Sequence, residues 1–180
     1  MSQSYFCWTF PANECDVTSE LHSLESADRL LKALDGSDQL LMAASRNDWL
    51  LSMLDALALG LRVTGLAAFH TMAYVVSSER VPHVIGEVQS LLDAAKSNPG
   101  LCAELLEGGY SEGDVLLALR LSKPASTPHL GPEDADEGDS PRYLFAWLKS
   151  LLLVLHFANE NSQCVVHVQP ESQRRQDASN

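Results

Sequence analysis

The stretch 143-YLFAWLKSLLLVLHFANENSQCVVHV-168 decides the architecture. Its first part, 143-YLFAWLKSLLLVLHF-157, is one of the most apolar runs in the chain and reads as a helix. Arg142, Lys149 and His156 recur every seven residues and leave only a narrow polar stripe. The rest is apolar nearly all round, the pattern of a helix enclosed by other elements. Ser140 and Pro141 form an N-cap and first-position pair that opens it. After 159-NENSQ-163, the run 164-CVVHV-168 reads as a short strand.

Immediately upstream lies 123-KPASTPHLGPEDADEGDSP-141, rich in proline, small residues and acids. Such a composition cannot pack a core and predicts a surface linker. Glu133, Asp134, Asp136, Glu137 and Asp139 follow one another there with no cation between them.

Further out, 4-SYFCWTF-10 is aromatic and β-prone on both faces and is closed by Pro11, which predicts a strand. In 18-TSELHSLESADRLLKALDG-36, Leu21, Leu24, Leu31 and Leu34 stand near helical spacing, with Asp35-Gly36 as a stop. A second helix is expected from Ser45, where 45-SRND-48 has the form of a capping box. Its stripe is Trp49, Leu50, Met53, Leu54, Leu57 and Leu61. Residues 66–76 fit either a helix or a buried strand; the β-rich end 71-TMAYVV-76 favours a strand.

The next segment, 77-SSERVP-82, looks like a helix start with Ser78 as cap and Pro82 in the first turn. Val81, Val84, Ile85, Val88, Leu91, Leu92 and Ala95 then make one continuous face, ended by Asn98-Pro99-Gly100. Two shorter helices are expected at 101–108 and 111–121, the latter with a Ser111–Asp114 capping pair. The tail 170-PESQRRQDASN-180 is polar and expected to be flexible. The fold class is therefore α+β and helix-dominated, with about three short strands in a small sheet against the C-terminal helix. Residues 1–169 are expected to form a single domain, with 123–141 as its acidic surface linker.

The chain has 180 residues, enough for one domain that buries roughly 70% of its unfolded surface. With 46% hydrophobic residues it is not globally disordered. Asp and Glu outnumber Lys and Arg by 24 to 12, for a net charge of −12. That surface repels phosphate backbones and anionic head groups, which argues against nucleic acid or a membrane as partner. It suits a basic protein surface. Four cysteines, Cys7, Cys15, Cys102 and Cys164, are widely spaced without a CxxC and do not read as a disulfide framework. Cys7 and Cys164 lie in strand-like runs and read as small buried hydrophobes. The N-terminus has no signal-peptide pattern and no apolar stretch is long enough to span a bilayer, so a cytoplasmic location is expected.

Chemistry is sparse. No two histidines stand at i, i+4, no HExxH or GxSxG occurs, and the glycines of 107-EGGYSEG-113 lie among acids rather than before a Lys. No catalytic residue, cofactor or metal is expected. The linker acids leave three readings open: a solvated loop whose charge suits the following helix dipole, a protein-binding surface, or a divalent-cation loop. The last lacks the closing Glu, since Leu144 falls there. Glu133, Asp134, Asp136, Glu137 and Asp139 are the first candidates for partner binding, with Glu112 and Asp114 after them.

The order of elements resembles small cytoplasmic bacterial proteins of the YfbM-like kind. They pass from a strand into a helix, as 74-YVVSSERVPHVIGEVQSLL-92 does, and close with a long apolar helix and a strand, as 143–168 does. Such proteins are often immunity proteins encoded beside toxins. The resemblance implies a non-catalytic protein that inhibits a cognate toxin with a basic surface. A chaperone or adaptor for a secreted substrate is the alternative, and an enzyme of unrecognised type a further one.

Overall fold

The computed structural model describes residues 3–11, 40–46, 48–62, 73–125 and 140–168. In chain order these hold β1 (Gln3–Pro11), β2 (Leu40–Arg46), α1 (Asp48–Gly60), β3 (Ala73–Val76), α2 (Val81–Ser97), α3 (Pro99–Leu105), α4 (Glu112–Leu121), α5 (Pro141–Glu160) and β4 (Gln163–Val168). The helix read over 18–36, the acids of 133–139 and the tail from 170 lie outside the described residues. So does most of the ambiguous 66–76 segment, but its end, 73–76, is a strand.

α5 organises the described chain. The Ser140 hydroxyl accepts from the Tyr143 N–H at 3.1 Å, and Pro141 takes the first helical position, where a missing N–H costs nothing. From Tyr143 to Leu148 every side chain is buried, so the first turns are enclosed on all sides. Trp147 and Phe145 are the largest fully buried side chains there. Burying a Phe or Leu side chain contributes roughly 1.5–3 kcal/mol relative to leaving it exposed. Further along, Leu151, Val154, Leu155 and Ala158 stay buried while Leu153, His156 and Phe157 face outward. α2 and α4 pack against α5 on one side and the sheet on another.

The sheet has four strands in the order β2-β1-β4-β3, with every neighbouring pair antiparallel. Three of them are the strands that the sequence predicts. The fourth, β2, is not: a helix was expected to begin at Ser45. Instead Ser45 pairs with Ser4 and Arg46 with Gln3, and α1 begins at Asp48. β4 is central, with Val165 opposite Thr9 of β1 on one side and Val76 of β3 on the other. All three are buried, and the two valines belong to the same apolar core as α5.

Two local corrections concern α2 and Cys164. The Ser78 hydroxyl does not cap the helix. Residues 77–80 form a turn in which the Arg80 and Val81 N–H groups both reach the Ser77 carbonyl, at 2.9 and 3.1 Å, and α2 starts only at Val81. Pro82 sits within that first turn, as expected. Cys164 is buried, but it is disulfide-bonded and not simply a small hydrophobe.

Candidate functional site

α3 and α4 form a packed helical pair joined through residues 106–111. α3 starts directly after α2: Asn98 is the C-cap of one and the N-cap of the other, and Pro99 follows as first residue. The turn uses two glycines with positive φ, Gly108 at 131° and Gly109 at 71°, conformations that side chains rarely adopt. Leu106 and Met53 anchor it below. Leu106 is buried, and the Glu107 N–H donates to the Met53 thioether at 3.3 Å.

Four carboxylates rim this pair: Glu104, Glu107, Glu112 and Asp114, all exposed. No Lys or Arg occurs from Pro99 to Leu119. Glu112 and Asp114 were candidates from the sequence; Glu104 and Glu107 were not singled out. The signal for them was available in 104-ELLE-107, whose two acids are separated by a single step of helical spacing and flank apolar residues.

Asp114 has a second task. Its carboxylate accepts from the Ser111 N–H at 2.8 Å and from the Ser111 hydroxyl at 2.6 Å, while that hydroxyl accepts from the Asp114 N–H at 3.2 Å. This is a complete capping box. The bonds from Ser111, side chain first and then backbone, hold the Asp114 carboxyl below its ordinary range. The Glu112 carboxylate leans toward the first turn of α3: an atom added at the Gly100 Cβ position would meet its Oε2 at 3.6 Å.

A second polar cluster joins α4 to α5. The Lys149 ammonium donates to the Leu119 carbonyl at 2.6 Å, the Ser122 carbonyl at 2.9 Å and the Ser122 hydroxyl at 2.7 Å. At the next residue, the Ser150 hydroxyl accepts from the Ala125 N–H at 2.9 Å and donates to the Ala146 carbonyl at 2.7 Å. A Ser–Lys pair can in principle act as nucleophile and base. Here the lysine donates to all three oxygens and Ser122 is buried, donating in turn to the Leu119 carbonyl at 3.1 Å. The arrangement closes the C-terminal end of α4. Burial lowers the Lys149 pKa.

Beside this cluster is an open depression of about 220 Å³ lined by Ala125, Ser150, Leu153, Val154 and Phe157. Among the described residues that line it, Ser150 is the polar side chain, and it is already bonded twice. Among the described residues no three His, Cys, Asp or Glu side chains are gathered as a metal would need, and no helix is long and apolar enough to cross a membrane. The Cys102 thiol is buried, and desolvation pushes its pKa up to about 11, which leaves it protonated and unreactive at neutral pH.

No protein family, curated protein or solved structure compared with the chain matches it.

Proposed function

We propose that the chain is a non-catalytic acidic binding protein, most concretely an immunity protein that binds and inhibits a cognate toxin with a basic surface. The observation that carries this reading is the α3–α4 rim. Glu104 on α3, Glu107 in the connecting turn, and Glu112 and Asp114 on α4 stand exposed with no cation in the same stretch of chain. Charges held on a rigid element steer an oppositely charged partner and fix its register without first having to order a loop. The linker acids Glu133, Asp134, Asp136, Glu137 and Asp139, which lie outside the described residues, add to the chain's negative charge and stay candidates for the same partner.

The test is a tagged pull-down from the native host at low salt, compared with a high-salt wash. The expected result is one stoichiometric basic protein that is lost at high salt and whose activity the chain blocks. The triple substitution E104Q/E107Q/E112Q should then slow association and flatten its salt dependence. On-rates that stay unchanged at low salt would remove this rim from the interface.

A second reading, an adaptor or chaperone for a secreted substrate, is favoured by a different observation. Leu116, Leu117 and Leu121 of α4 are each more than 40% exposed along one side of the helix. An apolar stripe of this kind suits an extended or partly unfolded segment. The discriminator is the partner's state. An inhibitor silences a folded toxin, whereas an adaptor keeps an otherwise insoluble substrate in solution.

A further inference from the structure

The outward face of α4 carries a pattern that is complementary to its own reverse. Val115 and Ala118 turn into the core, while Gly113, Asp114, Leu117, Arg120 and Leu121 stand exposed. Residues three apart on a helix surface form one ridge, inclined to the axis. On α4 the ridge Asp114–Leu117–Arg120 has an acid at one end, a leucine in the middle and a base at the other. Arg120 decides what fits it. A basic partner meets the wrong charge there, and an extended apolar segment satisfies neither end of the ridge. A second α4, turned end for end about a two-fold axis at Leu117, satisfies both ends and the middle.

We propose that the chain forms a two-fold homodimer through α4, with Leu117 on the axis and Asp114 of each protomer against Arg120 of the partner subunit. The two helices cross steeply, as they do when i±3 ridges pack on each other. Leu121 and Gly113, four residues either side of Leu117, then lie on the axis and meet their own copies. Leucine packs on leucine at one end, and at the other no side chain keeps the backbones apart. The Asp114 carboxylate is already fixed by its bonds from Ser111, so it meets the guanidinium without first losing side-chain freedom. Two copies of net charge −12 repel at long range. At physiological ionic strength that repulsion is screened beyond about 8 Å, whereas the two Asp–Arg pairs are in contact. The inference goes beyond the acidic-rim reading. Glu104 and Glu107 lie off α4, so a monomeric chain would leave that reading standing.

The test is sedimentation velocity of the full chain at physiological ionic strength over a range of concentrations. The mass should rise with concentration to twice the 19.6 kDa of the chain. A small interface of this kind should dissociate with a Kd of about 1–100 μM. R120E sets a glutamate against Asp114 at both ends of the seam and should weaken the dimer about tenfold or more. D114N/R120E removes that repulsion and should recover part of the loss. L117Q takes the apolar side chain off the axis and should weaken the dimer as well. All three positions are exposed, and circular dichroism confirms that each variant is folded; L117Q decides the matter where R120E is not. A chain that stays monomeric up to about 300 μM, well above that Kd range, overturns the proposal and leaves the leucines to an extended apolar segment. A dimer whose Kd is the same in the parent chain, R120E and L117Q overturns it too, since another surface then carries the association.

Discussion

Lys149 of α5 binds Ser122 twice, through its carbonyl at 2.9 Å and its hydroxyl at 2.7 Å, and so fastens the end of α4 to the central helix. The last carbonyls of a helix have no partners within it. Here the Leu119 and Ser122 oxygens meet an ammonium instead, and the positive charge also suits the negative end of the α4 dipole. Replacing Lys149 with Met keeps the aliphatic stem and removes the donor. The carbonyls left behind are partly shielded from water, which costs roughly 1–3 kcal/mol. K149M should therefore melt about 3–10 °C lower, with Ser122→Ala giving a smaller loss. Calorimetry of the two variants checks this, and an unchanged melting temperature for K149M would show that water replaces the ammonium without penalty.

Asp114 makes stability depend on pH in a defined window. Its folded pKa is lowered below the ordinary 3.8 by the bonds from Ser111, so the folded chain holds this proton less tightly than the unfolded one. The contribution is complete above 3.8 and is lost as pH falls through 3.8 toward the lower folded value. The melting-temperature difference between the parent chain and D114N should be constant above about pH 5 and shrink toward pH 3. In Ser111→Ala the Asp114 carboxyl should titrate closer to its ordinary value, which NMR of its side-chain carbon reads directly. A difference between parent and D114N that persists undiminished at pH 3 would contradict the role given to the capping box.

These capping interactions were legible from the sequence because they are local. Ser140 with Pro141, and Ser111 with Asp114, are set by residues at most three apart, and both caps form as the pattern predicts. β2 was not legible, for the opposite reason. Its sequence, 40-LLMAASR-46, holds Leu, Met and Ala, which are good helix formers, and not one β-branched residue. Only the edge of β1, more than thirty residues away in the chain, makes it a strand. The Glu104–Glu107 part of the acidic rim was missed similarly. Its meaning comes from α3 packing on α4, which no periodicity reports. The Lys149–Ser122 contact likewise joins positions 27 residues apart.

Gly60, the last residue of α1, lies against Leu105 of α3. A Cβ at that position would stand 2.7 Å from Leu105 Cδ2 and 3.1 Å from its Cγ. The leucine is half-buried, so it cannot swing freely into solvent. G60A should be destabilising by about 1–2 kcal/mol, the overpacking cost outweighing the better helix propensity of alanine. With Leu105→Ala in the background the clash disappears, and G60A should become neutral or mildly stabilising. A double-mutant cycle by urea denaturation measures this coupling. Additive effects of the two substitutions would show that α1 and α3 separate readily at this point.

The two turn glycines should respond differently to substitution, because one is crowded and the other is not. Both have positive φ. At Gly108 the φ of 131° lies outside the left-handed helical region, and a Cβ would meet the Tyr110 ring at 2.7 Å. At Gly109 the φ of 71° is one that Asn adopts, and no heavy atom lies within 4 Å of the Cβ position. G108A should thus cost several times more than G109N, with G109N within about 1 kcal/mol of the parent chain. Because the turn carries Glu107 and leads into Glu112, G108A should also disturb the acidic rim. Its association rate with a basic partner should fall even at a temperature where the variant is fully folded. Equal costs at the two positions, measured by chemical denaturation, would mean that Tyr110 moves aside and that the turn is set by backbone geometry alone.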